Sequence, residues 1–187
     1  GRHSEGDKPA DTMIEMVNSR ATPVRLAPSE AAARIKSYAI RLGADMVGIG
    51  PLNRPFVYSH VGRTPYGQPW GEKIHLNHPF AISLGIAMDY EFLRGHAPGF
   101  PVILESALVY AKAALVALQL ASYIGSLGYS ARAHHRKYYR VLSVPGAVDC
   151  GLGELARSGV LLPREFGSAV RPPTGHTHPP SAFARPL

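Results

Sequence analysis

The chain has very little cysteine: Cys150 is the single thiol among 187 residues. One thiol excludes a disulfide within the chain, and it cannot supply the four thiolates that usually hold an iron–sulfur cluster. Acidic residues are also few, since 13 of them face 20 basic ones and leave a net charge of +7. Apart from a cluster at 132–140 the basic residues are scattered, and so the charge does not indicate a nucleic-acid partner.

Both ends of the chain lack apolar periodicity. Residues 1–28 contain neither a twin-arginine pair nor a hydrophobic signal core, which predicts a disordered N-terminal segment and a cytoplasmic location. Residues 172–187 hold five prolines together with His176 and His178, which predicts a disordered or extended tail without a specific metal site. The length and an apolar content of 45% suit one domain, which we expect over 29–171.

Within 29–171, helical and strand patterns alternate. Ser29 and Glu30 precede an amphipathic run in the manner of a helix N-terminus. The predicted elements are a helix at 31–42, strands at 45–49 and 80–88, a long binding loop at 51–77, a helix at 101–126, and a further strand followed by a glycine-rich turn and a helix. The fold class is therefore α/β.

The long helix at 101–126 is apolar enough to be mistaken for a membrane span. Lys112, Gln119 and Ser122 interrupt the apolar run, and its flanks show no asymmetry of basic residues. We therefore predict a buried core helix and no membrane span.

A glycine-rich stretch at 142–171 carries the strongest functional signal. Gly151 and Gly153 imitate the fingerprint of a dinucleotide-binding loop, in which glycines let a phosphate approach backbone N–H groups. Pro145 and Asp149 interrupt the element before the glycines, and no βαβ unit of ordinary length follows them. A structural turn fits these residues better than a dinucleotide site does.

The same stretch resembles the corrinoid-binding catalytic domain of reductive dehalogenases. That family carries V-P-x-A-x-D-A-G-L-G-E-x-G-R-x-G followed by P-E-F-G-P-x-V-R, and the matching residues here are Val144, Pro145, Ala147, Asp149, Gly151, Leu152, Gly153, Glu154, Arg157, Gly159, Glu165, Phe166, Gly167, Val170 and Arg171. Cys150, Ala156 and Ser168 replace the usual Ala, Gly and Pro. Further matches at 42–50, 88–91 and 122–129 extend the likeness over about 29–171.

The resemblance implies a nitroreductase-like core that binds a corrinoid such as cobalamin, with no metal ligand from this chain. The cofactor contacts that it implies are Tyr129, His134, Tyr138, Ser143, Val144, Pro145, Ala147, Asp149, Gly151, Leu152, Gly153, Glu154 and Gly159. Tyr138 falls where some relatives carry an asparagine of the substrate cavity, and His134 resembles a histidine of others. The halogenated substrate is therefore open.

The resemblance also implies two catalytic residues. Tyr110 lies 18 residues before Gly128, at an offset similar to that of the family's proton-donating tyrosine, and Arg171 closes the second motif. A cation beside the phenol would steady the phenolate that remains after proton donation. The alternatives are an ordinary core tyrosine and a surface arginine.

The predicted function is that of a cobalamin-dependent reductive dehalogenase, an oxidoreductase that removes halogen from an organohalide by Co(I) chemistry. Because the family's cysteine-rich cluster motifs are missing, electrons are expected from an external donor or an iron–sulfur partner protein. A non-catalytic cobalamin-binding module and a flavin-dependent reductase on a similar scaffold are the alternative hypotheses.

Overall fold

The computed structural model describes residues 15–16, 22–62, 70–135 and 139–177. Its helices are α1 (Pro28–Arg41), α2 (Tyr90–His96), α3 (Phe100–Ser126) and α4 (Ser143–Asp149). Its strands are β1 (Glu15–Met16), β2 (Met46–Pro51), β3 (Phe80–Ala87), β4 (Ala131–His134), β5 (Glu154–Leu155), β6 (Leu161–Leu162), β7 (Val170–Arg171) and β8 (Thr174–Thr177). A short 3₁₀ helix spans Arg54–Phe56.

The described strands form one main sheet and one small hairpin. The main sheet has the order β1-β4-β8-β3-β2, and each of these pairings is antiparallel. The short strand β7 pairs with the end of β3, so that Arg171 lies opposite Ile86. Strands β5 and β6 pair with each other beside the sheet. The domain is therefore a mixed helix-and-sheet fold.

Helix α3 covers one face of the sheet. Its buried residues recur every three or four positions and include Val109, Ala113, Val116 and Leu120, which is the spacing of one helix face. They pack with Ile82, Leu84 and Ile86, the alternate residues of β3, to form the hydrophobic core. The prediction of a core helix is correct for this face.

The outer face of α3 is apolar as well. Its exposed residues are Phe100, Ile103, Leu104, Leu108 and Leu115. By length and composition alone α3 is long and apolar enough to cross a membrane, and core helices of soluble proteins share these two properties.

The predicted boundaries of the domain need correction at both ends. Strand β8 lies within the expected C-terminal tail, yet it runs between β3 and β4 and forms backbone hydrogen bonds with both. Strand β1 lies within the expected N-terminal segment and pairs with β4. Segments this short carry no readable periodicity, and their pairing partners decide their conformation. Residues 178–187 lie outside the described part of the chain.

Two predicted helix positions are also wrong. Helix α1 begins at Pro28 after Ala27, because proline suits the first helical turn, and so Ser29 is not its N-cap. Helix α4 precedes the glycine-rich turn, whereas the sequence predicted a helix after it. Pro145 is compatible with α4 because it occupies the first turn, where a backbone N–H has no helical partner.

Helix α4 lies on the sheet face opposite α3, and two glycines of β2 permit its close approach. A Cβ at Gly48 would overlap the carbonyl oxygen of Cys150 and lie 2.8 Å from its side chain. A Cβ at Gly50 would lie 3.3 Å from the carbonyl oxygen of Asp149. The end of α4 thus rests directly on the backbone of β2.

Gly48→Ala is expected to destabilise the protein by about 2–3 kcal/mol, because the new methyl group must displace the backbone at the end of α4. Urea unfolding measures the change. The control is Gly62→Ala, since a Cβ at that exposed position meets no atom within 4 Å. Equal stability of the two variants would contradict the account of α4 packing.

Candidate functional site

The fold brings Tyr110 and Arg171 together. Tyr110 lies on α3, which packs on β3, and Arg171 lies on β7, which pairs with the end of β3. The guanidinium carbon of Arg171 is 5.6 Å from the centroid of the Tyr110 ring. This distance is within the range of a cation–π interaction. The predicted catalytic pair therefore exists as a contact, while its role remains a prediction.

Ser106 completes this group, and the sequence analysis did not identify it. The Nη2 group of Arg171 donates a hydrogen bond to Ser106 Oγ at 3.0 Å. Ser106 precedes Tyr110 by four residues, so both side chains lie on one face of α3. The spacing of four residues from Tyr110 is the sequence feature that could have identified Ser106, although a serine on a helix does not by itself indicate a function.

The glycine-rich turn borders an open cleft of about 780 Å³. Its lining residues are Met46, Val47, Gly151, Leu152, Gly153, Glu154, Leu162, Pro163, Arg164 and Glu165. Four of the predicted cofactor contacts, residues 151–154, lie here. The remaining lining residues were not predicted as cofactor contacts, although Glu165 belongs to the second matched motif.

The two glycines of the cleft have backbone conformations that other residues rarely adopt. Gly151 has a φ of +77° and Gly153 a φ of +155°. A Cβ at Gly153 would lie 2.6 Å from the carbonyl oxygen of Leu162. Glycine is therefore required where the turn meets β6.

A second, smaller cavity has a volume of about 330 Å³. Its lining residues are Met88, Tyr90, Glu165, Phe166, Gly167 and Ala169. Glu165 borders both cavities. The second matched motif, residues 165–171, therefore runs from the glycine cleft to the Tyr110–Arg171 pair.

The predicted contacts from 143 to 149 form helix α4. Ala147 is fully buried, and the exposed carboxylate of Asp149 accepts a hydrogen bond from Asn53 at 3.4 Å. Ser143, Val144 and Pro145 lie in the first turn of the same helix. These residues support the glycine turn and are not among those that line the cleft.

Tyr129 and Gly159 also lie apart from the cleft lining. The hydroxyl of Tyr129 donates a hydrogen bond to the carbonyl of Val24 at 2.7 Å, and its ring packs against the core. Gly159, with a φ of +80°, turns the chain between β5 and β6. Tyr138 lies outside the described residues. The structure thus does not bring Tyr129 or Gly159 to the glycine cleft.

His134 is buried on the α4 side of the sheet, with 1% of its surface exposed. Its Nδ1 accepts a hydrogen bond from the backbone N–H of Arg140 at 3.1 Å, which places the ring proton on Nε2. Burial, and to a lesser degree the charges of Arg132 and Arg140, lower the pKa of His134 well below its usual value. His134 is therefore a neutral, buried side chain and is not among the residues that line the cleft.

Cys150, which departs from the family motif, faces the sheet. Its Sγ lies 3.7 Å from the carbonyl oxygen of Ala81, and burial raises the pKa of the thiol. The departure from alanine is thus accommodated between α4 and the sheet.

No family model matches the chain. Tetrachloroethene reductive dehalogenase of Sulfurospirillum multivorans is 28% identical over 193 residues, which are 90% of this chain and 38% of that protein. The enzymes of the same name from Desulfitobacterium hafniense and Dehalobacter restrictus are 30% identical over 196 residues, which are 84% of this chain and 34% of theirs.

Solved structures give the same result. A catabolic reductive dehalogenase in complex with 3-bromo-4-hydroxybenzoic acid has a TM-score of 0.76 and 28% identity over 86% of this chain and 23% of that one. A reductive dehalogenase whose structure suggests a mechanism for B12-dependent dehalogenation has a TM-score of 0.78 and 26% identity over 90% and 24%.

These comparisons confirm the predicted resemblance: the chain is similar in sequence and fold to the catalytic domain of reductive dehalogenases. It spans about a third of the length of the curated relatives and about a quarter of the solved chains.

The buried neutral state of His134 predicts a loss of stability in acid. Because the pKa of His134 is lowered in the folded state, protons bind the unfolded state more tightly. The stabilisation is complete above about pH 6.5 and is lost as the pH falls below it, by up to about 1.4 kcal/mol per pH unit. His134→Asn should remove this part of the pH dependence of the free energy of unfolding, which urea unfolding at pH 7 and at pH 5 measures.

The control is His75→Asn, since the His75 side chain is exposed. It should keep the wild-type slope. A His134→Asn variant with the same slope as wild type would show that His134 does not titrate between the folded and unfolded states.

Proposed function

We propose that this chain forms part of a corrinoid-dependent reductive dehalogenase with a nitroreductase-like core and an organohalide substrate. The observation that carries the proposal is the guanidinium of Arg171 above the ring of Tyr110, at the end of the matched motif whose Glu165 lines the glycine cleft. The likeness to reductive dehalogenases, one of them linked to B12-dependent chemistry, supports the choice of cofactor and reaction.

The residues of the cleft fit a large, polar cofactor. Residues 151–154 and 162–165 line an open cavity, and the glycine backbone of the turn lets a ligand approach N–H groups closely. A corrinoid with its nucleotide tail is larger than this cleft, and so these residues would hold one portion of it. When bound, a reduced cobalt corrinoid supplies the electrons that break the carbon–halogen bond.

Tyr110 is the proposed proton donor. Replacement of halogen by hydrogen consumes the organohalide, two electrons and one proton, and it yields the reduced carbon compound and a halide ion. The hydroxyl of Tyr110 gives the proton to the carbon atom, which leaves a phenolate. Arg171 keeps a positive charge at this ring, and this charge stabilises the phenolate.

The electrons come from outside this chain in our proposal, from an external donor or an iron–sulfur partner protein. Cys150 is the one cysteine of the sequence, and a cluster ligated by cysteines needs about four thiolates. Among the described residues, no group of three or more histidine, cysteine or acidic side chains is placed to hold a metal ion. We therefore propose that groups other than these residues reduce the cofactor.

The first test is cofactor binding. The purified chain should bind cobalamin with one-to-one stoichiometry, which the absorption spectrum of the loaded protein measures. Gly153→Ala should weaken binding about tenfold or more, because a side chain there collides with Leu162 and changes the wall of the cleft.

Gly95→Ala is the matched control, since a Cβ at that exposed helical glycine meets no atom within 4 Å. Tight binding of FMN in place of cobalamin would favour the flavin-dependent reductase. Failure to bind either cofactor would contradict the proposal.

The second test concerns the pair itself. With bound cobalamin and a strong chemical reductant, Tyr110→Phe should lower the dehalogenation rate about 100-fold while cobalamin binding is unchanged. Arg171→Met should have a similar effect, and the double variant should be scarcely slower than either single one, because the two residues act as a unit.

Tyr123→Phe is the control for this series, since Tyr123 lies on α3, as Tyr110 does, and its ring stacks on Tyr38 of α1. Full rates in both single variants would refute the roles of Tyr110 and Arg171. If the wild type binds cobalamin without turnover, the chain is a non-catalytic cobalamin-binding module.

A further inference from the structure

We propose that Ser106 is a positioning residue, which holds the guanidinium of Arg171 over the ring of Tyr110. The inference rests on the proposed function for its catalytic meaning. Its structural basis is independent of that function, because it consists of one hydrogen bond of 3.0 Å and one ring contact of 5.6 Å.

Arg171 needs such a restraint. Its long side chain has many rotamers in solution, and the strand that carries it is two residues long. Besides the bond to Ser106, the described contacts of its guanidinium nitrogens with oxygen consist of a 3.4 Å approach of Nη1 to the carbonyl of Val170. Its Nε is buried and has no hydrogen-bond partner among the described residues. Ser106 therefore provides the shortest polar contact that fixes this side chain.

The helix gives Ser106 the right position for this role. Residues four apart on an α-helix lie one above the other, separated by about one turn. The guanidinium contacts both members of this pair, with one nitrogen at the Ser106 hydroxyl and its carbon above the Tyr110 ring. A ring contact alone leaves a planar cation free to rotate over the ring, whereas a hydrogen bond at one edge selects one orientation.

A hydroxyl also suits the chemistry better than a carboxylate. An acidic partner would neutralise the charge that the phenolate of Tyr110 requires, whereas serine orients the guanidinium and leaves its charge available. The adjacent acidic residue, Glu105, accepts a hydrogen bond from the backbone N–H of Asp89 at 2.9 Å. Among the described residues, Arg171 forms no salt bridge.

The first experiment needs neither cofactor nor turnover. In the chain labelled with ¹⁵N-arginine, the Nε–H signal of Arg171 is identified by its disappearance in Arg171→Lys. The aromatic ring should displace this signal upfield, and Tyr110→Leu gives its position without the ring. Ser106→Ala should move the signal toward the Tyr110→Leu position, whereas Ser106→Thr, which keeps the hydroxyl, should retain the wild-type position.

Ser122→Ala removes a hydroxyl from the same helix at a position away from Arg171, and it should leave the signal unchanged. If Ser106→Ala does not fold, Ser106→Cys replaces it as the test variant, because cysteine has a volume similar to that of serine and is only a weak hydrogen-bond acceptor. A wild-type Arg171 signal in Ser106→Ala, or in Ser106→Cys where it replaces that variant, would overturn the inference.

The second experiment measures turnover of the cobalamin-loaded chain with a chemical reductant. Ser106→Ala should lower kcat about tenfold with little change in KM, and Ser106→Thr should restore most of the rate. In a Tyr110→Phe background, Ser106→Ala should cause no further loss. An equal loss in both backgrounds would overturn the positioning role.

Failure of the proposed function gives a different result. If the loaded wild type shows no turnover while the NMR signal still depends on Ser106, the reaction is refuted and the positioning of Arg171 by Ser106 is supported.

Discussion

The structure depends on the burial of strand β3 between three partner strands and two helices. Its residues from Ala81 to Ile86 are buried, and it pairs with β2, β8 and, at its end, β7. The side chains of β3 that face α3 form the core. Because β7 carries Arg171 and α3 carries Tyr110, the same strand fixes both halves of the proposed catalytic pair. A shift of β3 would separate them.

The other face of the sheet depends on close backbone packing. Gly48 and Gly50 let the end of α4 rest on β2, and the chain then turns through Gly151 and Gly153 with positive φ angles. The first two glycines make room for α4 at the sheet, and the last two form the turn that borders the cleft. The sequence match in this region thus has a physical explanation beyond ligand contact, since several matched residues support the turn and do not line the cleft.

The sequence predicted most of the larger elements because their apolar patterns are strong. Helix α3 and strand β3 lie within one residue of their predicted bounds. Strand β8 could not be predicted, because Thr174–Thr177 is short, polar and flanked by prolines, and its conformation comes from pairing on both sides. The class of fold could thus be predicted from the sequence, whereas the central strand β8 could not.

The candidate site was predictable to a similar extent. The proximity of Tyr110 and Arg171 followed from the resemblance, as did residues 151–154 of the cleft. Ser106 was not identified, because its meaning depends on where β7 places Arg171. Tyr129 stays a predicted cofactor contact, and the structure shows its hydroxyl bonded to the carbonyl of Val24, apart from the glycine cleft. Tertiary contacts decide such cases, and local sequence does not contain them.

The central claim is that Tyr110, with Arg171 beside it, donates a proton to a substrate carbon next to a bound corrinoid. A crystal structure of the chain with cobalamin and a halogenated phenol tests this claim most directly. The account predicts that the halogen-bearing carbon lies between the cobalt and the hydroxyl of Tyr110, with Arg171 still over the tyrosine ring. A corrinoid bound elsewhere, or a substrate out of reach of the Tyr110 hydroxyl, would contradict it.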